Sequence, residues 1–371
     1  MAFYDFEPDI SQIPIVRMSA ERTAVVTGVA GSGKSWILLR KAKEVSTITN
    51  SYAIIVYTKS LKQFFVDELK EIDPSEKHVY YFREWQRSLK SHYTYLFIDE
   101  CQDFNAEEIA DFKSYGTYCW FFGDTDQSIM EFPDHSVQSV LATAEQLGVH
   151  TQDLCFNHRL TAENAKIGEY IKPESGLSSA CMKKGDKPKL IQVDDDVFDR
   201  TLGNKQSQLD KIIDIRANGQ LSNVGILVYY NDSVEVIRDY FLAKGIPVEW
   251  KTGDGMEIDF KSTNPKIINW HCAKGLQFDD VFIPACGVGE HNFYNKYFKH
   301  PVDPVDPKGK SGLESAFYVA TTRPLANLYL LYSNDLSPKL PPANSEIYKG
   351  NEKEEPEDVF SQLKSENFEP F

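Results

Sequence analysis

The sequence predicts an α/β protein built on parallel sheets, and three observations carry that prediction. Short apolar runs alternate with amphipathic stretches of helical length, the rhythm of strands linked by crossover helices. A glycine-rich loop, Gly28-Val29-Ala30-Gly31-Ser32-Gly33-Lys34-Ser35, stands between the first apolar run and the first such helix. The rhythm then resumes after a second set of helices, and 371 residues are enough for two α/β domains of similar size.

In chain order, the apolar runs predict strands at Ala24–Thr27, Ala53–Thr58, Val79–Phe82, Leu96–Asp99 and Trp120–Gly123. Between them fall helical patterns at Ser35–Val45, Ser60–Glu71 and Asn105–Lys113. The second set of strands is expected at Lys189–Val193, Gly225–Tyr230, Lys266–Trp270, Val281–Pro284 and Leu328–Tyr332, with helices at Ser207–Ala217, Ser233–Lys244 and Leu313–Thr322. The boundaries expected are a first domain over 1–150, a second over 151–337 and an acidic, disordered tail over 338–371, where Pro, Glu, Lys and Ser replace apolar residues. Lys172–Lys187 and Gly287–Gly312 read as loops.

Composition narrows the function. Forty basic against 55 acidic side chains give a net charge of −15, which excludes a protein that coats nucleic acid electrostatically but leaves room for a narrow basic channel. Part of that excess is local, since the last 27 residues hold eight acidic side chains against three lysines. No apolar run approaches membrane-spanning length and MAFYDFEPDI lacks signal-peptide order, so the expected location is cytoplasmic, without membrane contact. The six cysteines are widely spaced without a CxxC pair, which predicts reduced, buried thiols.

The glycine-rich loop fits GxxxxGK[ST], with the strand before it and the helix after it that the motif requires. Glycines let successive N–H groups turn toward phosphate oxygens, the helix N-terminus adds its dipole, Lys34 reaches the β- and γ-phosphates and Ser35 ligates Mg²⁺. Its partner is an acidic strand end, Tyr95-Leu96-Phe97-Ile98-Asp99-Glu100, where Asp99 holds Mg²⁺ and Glu100 polarises the attacking water. The next strand ends in Gly123-Asp124-Thr125-Asp126-Gln127, whose amide is a candidate γ-phosphate sensor.

Seven motifs in register resemble the UvrD/Rep-type superfamily 1 helicases. GVAGSGKS is similar to motif I, IIVYTKSLKQF to Ia, LFIDECQDF to II, FFGDTDQSI to III, NHRLT to IV, HCAKGLQFDDVFI to V and FYVATTRP to VI. The resemblance implies two RecA-like P-loop NTPase domains with ATP and Mg²⁺ in the cleft between them. It implies catalytic roles for Lys34, Asp99, Glu100, Gln127, Arg159 and Arg323. Nucleotide contacts are implied for Gln12, Gly28, Ala30, Gly31, Ser32, Gly33, Lys34, Ser35, His158, Gly275 and Gln277, with Ser35 and Asp99 on the metal. Thr58, Lys59, Phe132, His271 and Lys274 match positions that line a single-strand path.

Departures matter too. His158 stands where the family has a Tyr stacked on adenine, Gln277 where it has a Glu on the ribose, and Met130 replaces a Tyr after QSI. Only 40 positions separate Lys59 from Asp99, room for almost no accessory subdomain, and the 115 between Arg159 and Lys274 are taken up by the ordinary sheet-and-helix rhythm, so the accessory subdomains of the large helicases are absent from this reading. The expectation is a minimal ATP-dependent single-stranded DNA translocase or helicase, with RNA as another candidate strand. The alternative is a nucleotide- or strand-sensing ATPase subunit that regulates a protein partner such as a nuclease.

Overall fold

The computed structural model describes residues 7–69, 78–129, 135–193, 207–252, 258–288, 310–333 and 335–350. Two parallel six-stranded sheets organise them, as the sequence predicts. The first sheet comprises β1 (Ala24–Gly28), β2 (Tyr52–Val56), β3 (Val79–Tyr81), β4 (Tyr93–Ile98), β5 (Gly116–Gly123) and β6 (Thr151–Leu154), in the order β3-β2-β4-β5-β1-β6. A short ribbon follows, pairing β7 (Asn157–Thr161) with β8 (Cys181–Lys183). The second sheet holds β9 (Lys189–Gln192), β10 (Val224–Val228), β11 (Glu249–Lys251), β12 (Lys266–Asn269), β13 (Phe278–Ile283) and β14 (Pro324–Tyr332), in the order β11-β12-β10-β13-β14-β9.

Central strands of a parallel sheet are covered on both faces, which is why they read as continuous apolar runs. Along β1, Val26 packs on one face with Trp120 and Phe122, while Val25 packs on the other with Ile55, Ile98 and Phe121. The second sheet repeats the pattern, with Leu227, Ile268 and Leu330 on one side and Ile226, Ile267 and Leu331 on the other. Each of these layers buries side chains that contribute roughly 1.5–3 kcal/mol apiece.

Several expectations need correction. β6 pairs with β1 from Val25↔Thr151 to Gly28↔Leu154, so the first sheet runs past the boundary expected at 150. The strand expected over Ala53–Thr58 stops at Val56, because the Thr58 hydroxyl accepts the Leu61 N–H at 3.2 Å and opens the helix Lys59–Leu69. Residues 338–350, assigned to the disordered tail, pack instead: Leu340 and Tyr348 are buried against the second sheet, and the Tyr348 hydroxyl donates to the Pro341 carbonyl at 3.0 Å. The rest of that segment, 351–371, lies outside the described residues, as does most of the loop expected at Gly287–Gly312. Cys101, Cys119 and Cys286 are buried, but Cys155 is exposed and Cys181 and Cys272 are half-buried, against the expectation of buried thiols.

Candidate active site

Ligands of open α/β sheets bind beyond the carboxyl ends of the strands, and here those ends carry the chemistry. β1 runs into the phosphate loop, where Gly31 and Gly33 adopt φ of 75° and 88°. Such backbone is strained for any residue with a Cβ. A Cβ on Gly33 would also come within 2.6 Å of Gln12 Nε2. The helix Lys34–Ser46 starts at that glycine, and the first N–H groups of a helix, which have no partner within it, can face an anion.

Lys34 Nζ donates to the Gly28 and Val29 carbonyls at 2.7 and 3.1 Å and lies 3.7 Å from Asp124 Oδ2. Ser35 Oγ donates to Asp99 Oδ2 at 2.9 Å, which joins the first helix to the end of β4. Burial, with Glu100 alongside, raises the Asp99 carboxyl to about 7. Burial acts in the same direction on Glu100, but Lys274 and Lys34 outweigh it and hold that carboxyl below its usual value. Glu100 itself sits at φ 57°, a left-handed conformation that costs a non-glycine residue of order 1–3 kcal/mol and is met at functional sites. Gln102 Nε2 fixes its carboxylate from 2.5 Å.

The second sheet reaches into this cluster through buried side chains. Arg323 donates from Nη2 to Gln127 Oε1 at 2.9 Å and from Nε to the Val319 carbonyl at 2.8 Å. Gln127 Nε2 in turn donates to Asp124 Oδ2 at 2.6 Å. Burial, with Arg159 nearby, pushes Arg323 down to about 9. Arg159 is likewise depressed by burial, its Nη1 donating to the Thr322 carbonyl at 3.4 Å.

A pocket of about 460 Å³ joins these groups. It is lined by Gln12, Gly31, Ser32, Gly33, Lys34, Ser35, Glu100, Gln127, His158, Arg159, Gly275, Gln277 and Arg323, so it gathers most of the nucleotide residues expected from the sequence. Gly28, Ala30 and Asp99 are not among its lining residues; Ala30 is fully buried and Asp99 is bonded to Ser35. Ser32 Oγ and Arg159 Nε are buried without a hydrogen-bond partner among the described residues, which fits groups held for a polar ligand. Gln12 Nε2 donates to the Ser32 carbonyl at 3.0 Å, and His158 Nε2 meets Asp9 Oδ2 at 2.6 Å. Sequence reasoning missed Trp36, Phe64, Lys183 and Leu325, which also line the pocket. Nothing in their local pattern distinguishes them from core or surface residues.

The expected strand-path residues divide. Thr58 and Lys59 open the helix Lys59–Leu69, with Lys59 Nζ 5.1 Å from the Tyr81 ring centroid. That helix faces the 271–277 loop, since a Cβ on Gly275 would lie 2.6 Å from Leu61 Cδ1. His271 is half-buried on that loop, its ring 5.8 Å from Tyr229. Phe132, like Met130, lies outside the described residues. Lys274 departs from expectation: it is 1 % exposed and donates to Asp103 Oδ2 at 2.5 Å and to the Gln127 carbonyl at 2.7 Å, with Glu100 at 3.4 Å. Those three oxygens hold the ammonium inside the protein, so it bridges the two sheets instead of lining a strand path. Asp103 was visible in the DECQD motif without a role of its own. Burial raises its carboxyl to about 6, with Lys274 working against the shift.

Among the described residues no helix is long and apolar enough to cross a membrane. No group of three or more His, Cys, Asp or Glu poised for a metal is found among them either.

Residues 24–204 match the model of the viral superfamily 1 RNA helicase core domain, a span that includes the phosphate loop, Asp99, Glu100, Gln127 and Arg159. No curated protein matches the chain. Among solved structures, the C-terminal domain of a possible DNA helicase from Lactobacillus plantarum WCFS1 is similar at 17 % identity and TM-score 0.37, covering 53 % of this chain and 99 % of that one. The Arterivirus nonstructural protein 10 helicase is similar at 16 % identity and TM-score 0.42, covering 84 % of this chain and 60 % of that one. The same helicase in complex with DNA gives 16 % identity and TM-score 0.43, covering 84 % and 61 %. This chain thus spans about three fifths of the arterivirus helicase.

Proposed function

We propose that this ATP-hydrolysing enzyme, which carries a superfamily 1 helicase core, is a minimal UvrD/Rep-type motor that translocates on single-stranded DNA. The observation that carries the reading is the single pocket in which a phosphate loop, an acidic strand end and two arginines converge. A nucleoside triphosphate fits that donor set: glycine backbone that admits no Cβ, a lysine, a hydroxyl beside a carboxylate, and guanidinium groups for charge that spreads in the transition state.

Lys34 would exchange its two loop carbonyls for phosphate oxygens. Ser35 and Asp99 would hold Mg²⁺, which when bound offsets charge on the phosphates. Glu100, kept ionised by Lys274 and Lys34 and steered by Gln102, would take the proton of the attacking water. Arg159 and Arg323 would stabilise the γ-phosphoryl group as it leaves. Because Gln127 is bonded to both Asp124 and Arg323, loss of that phosphoryl group would be felt by the second sheet, and the two halves would shift along a strand lying near Thr58, Lys59 and His271. The short gaps between motifs leave duplex unwinding weak or partner-dependent, in the cytoplasm.

The test is steady-state ATP hydrolysis with and without single-stranded DNA, RNA and duplex, beside Glu100→Gln. Stimulation by single-stranded DNA, with hydrolysis down by about 10²–10⁴ in the variant, is the expected result. Stimulation by RNA alone would reassign the strand. ATP binding without stimulation by any strand would favour a sensing subunit that acts on a partner.

A further inference from the structure

The two arginines of the pocket are held differently, and Asn157 is what separates them. Resting on the proposed ATPase reading, we propose that Asn157 is a positioning residue that fastens Arg159 to the phosphate loop, so that Arg159 meets the γ-phosphate without domain closure. Arg323 is left as the arginine that closure delivers.

Asn157 is fully buried where the chain has just left β6, three residues after Leu154. Its Oδ1 accepts the N–H groups of Arg159 at 2.8 Å and Leu160 at 2.9 Å, and its Nδ2 donates to the Ala30 carbonyl. This network fixes which way the amide points, because the end that faces two N–H groups must be oxygen and the end that faces a carbonyl must be nitrogen. One side chain therefore clamps the backbone of Arg159 to the phosphate loop. The next residue adds a second tie, the His158 N–H donating to the Gly31 carbonyl at 3.0 Å.

Packing tells the same story. A Cβ on Gly31 would lie 2.6 Å from Arg159 Cβ and 2.7 Å from Asn157 Oδ1, so the arginine segment is seated against the loop that would hold the phosphates. β7, which carries Arg159, also packs on β14; the Arg159 side chain donates from Nη1 to the Thr322 carbonyl at 3.4 Å, and its Nε keeps no hydrogen-bond partner among the described residues. Arg323 is the opposite case. Val319 and Leu276, both beyond β10, accept from it at 2.8 and 3.3 Å, and Gln127 is its link to the first sheet. A triphosphate seated on the loop would find Arg159 already in place, whereas a diphosphate, lacking the γ-phosphate, would not use it.

The test compares binding of ADP and of a non-hydrolysable β,γ-imido ATP analogue, without nucleic acid, by the wild-type chain, Asn157→Asp, Arg159→Ala and the Asn157→Asp/Arg159→Ala double variant. Asp keeps the acceptor for the two N–H groups but loses the donor and sets a carboxylate oxygen against the Ala30 carbonyl. The expected result is an analogue affinity about tenfold weaker in Asn157→Asp, an ADP affinity within about twofold of wild type, and no further loss in the double variant. Equal loss of ADP and analogue, full additivity with Arg159→Ala, or an unchanged analogue affinity would each overturn the proposal. If Asn157→Asp melts early, Asn157→Ser is judged by the same criteria, since its shorter hydroxyl also loses the reach to Ala30. A wild-type chain that binds neither nucleotide would remove the ATPase reading as well, whereas one that binds both while Asn157→Asp fails these criteria would remove this proposal alone.

Discussion

The first sheet serves the pocket with a backbone cradle as well as charged side chains, and the second chiefly with buried side chains. On the β1 side, glycine conformations, a helix N-terminus and carbonyls that bond Lys34, Gln12 and Asn157 define the geometry, with Lys34, Asp99, Glu100 and Asp124 buried around it. On the β12–β14 side, Lys274 and Arg323 are almost wholly enclosed, matched by Asp103, Glu100 and Gln127 of the first sheet. A backbone cradle is preorganised and persists when the sheets move apart. A buried ion network exists only while they are together, and the desolvation of its members is offset only then. The difference assigns binding to one region and switching to the other.

The sharpest way to break that assignment is Arg323→Ala. If Arg323 arrives with the second sheet to stabilise the transition state, strand-stimulated kcat should fall by about 10³ while nucleotide affinity barely moves, as single-turnover hydrolysis and equilibrium binding would show. A loss carried by affinity instead would merge the two regions into one binding site. Next in size is Lys274→Met, which leaves Asp103 and Glu100 buried beside each other without their cation. Folding stability should drop by about 3 kcal/mol in denaturant titrations, and adding Asp103→Leu should recover part of it, because a packed apolar pair replaces an orphaned charge. A Lys274→Met chain as stable as wild type would mean that the two sheets are not held by this pair.

The same contrast decides what was legible from the sequence. Glycine spacing encodes backbone geometry directly, so Gly31, Gly33, Lys34 and Ser35 could be assigned from eight consecutive residues. Lys274 could not, since its meaning depends on Asp103, 171 positions earlier, and a lysine in a loop reads as solvated until that partner is known. Asn157 opens a recognisable NHRLT, but a side-chain amide that bonds backbone leaves no pattern at all. Among the strands, the central ones were found because both faces are apolar. β6 and β11, with sequences TQDL and EWK, sit at sheet edges with one paired neighbour each, and edge strands carry the polar residues that hide them. The packing of Leu340 and Tyr348 was concealed by the proline and charge around them.

The smallest expected effect probes the rim where both regions share the ligand. Gln277 is exposed, lines the pocket from the second sheet, and stands where the resembling family has a glutamate on the ribose. A carboxylate there accepts from hydroxyls about twice as strongly as an amide oxygen, but at an exposed position water competes and the net gain is small. Gln277→Glu should therefore lower the KM for ATP by about threefold and raise the preference for ATP over 2′-deoxy-ATP, with kcat unchanged. Because the added charge also repels phosphate, a rise in KM would show that Gln277 faces the phosphate end. The second sheet would then take part in holding the triphosphate before closure, and the division between a binding sheet and a switching sheet would have to be redrawn at this residue.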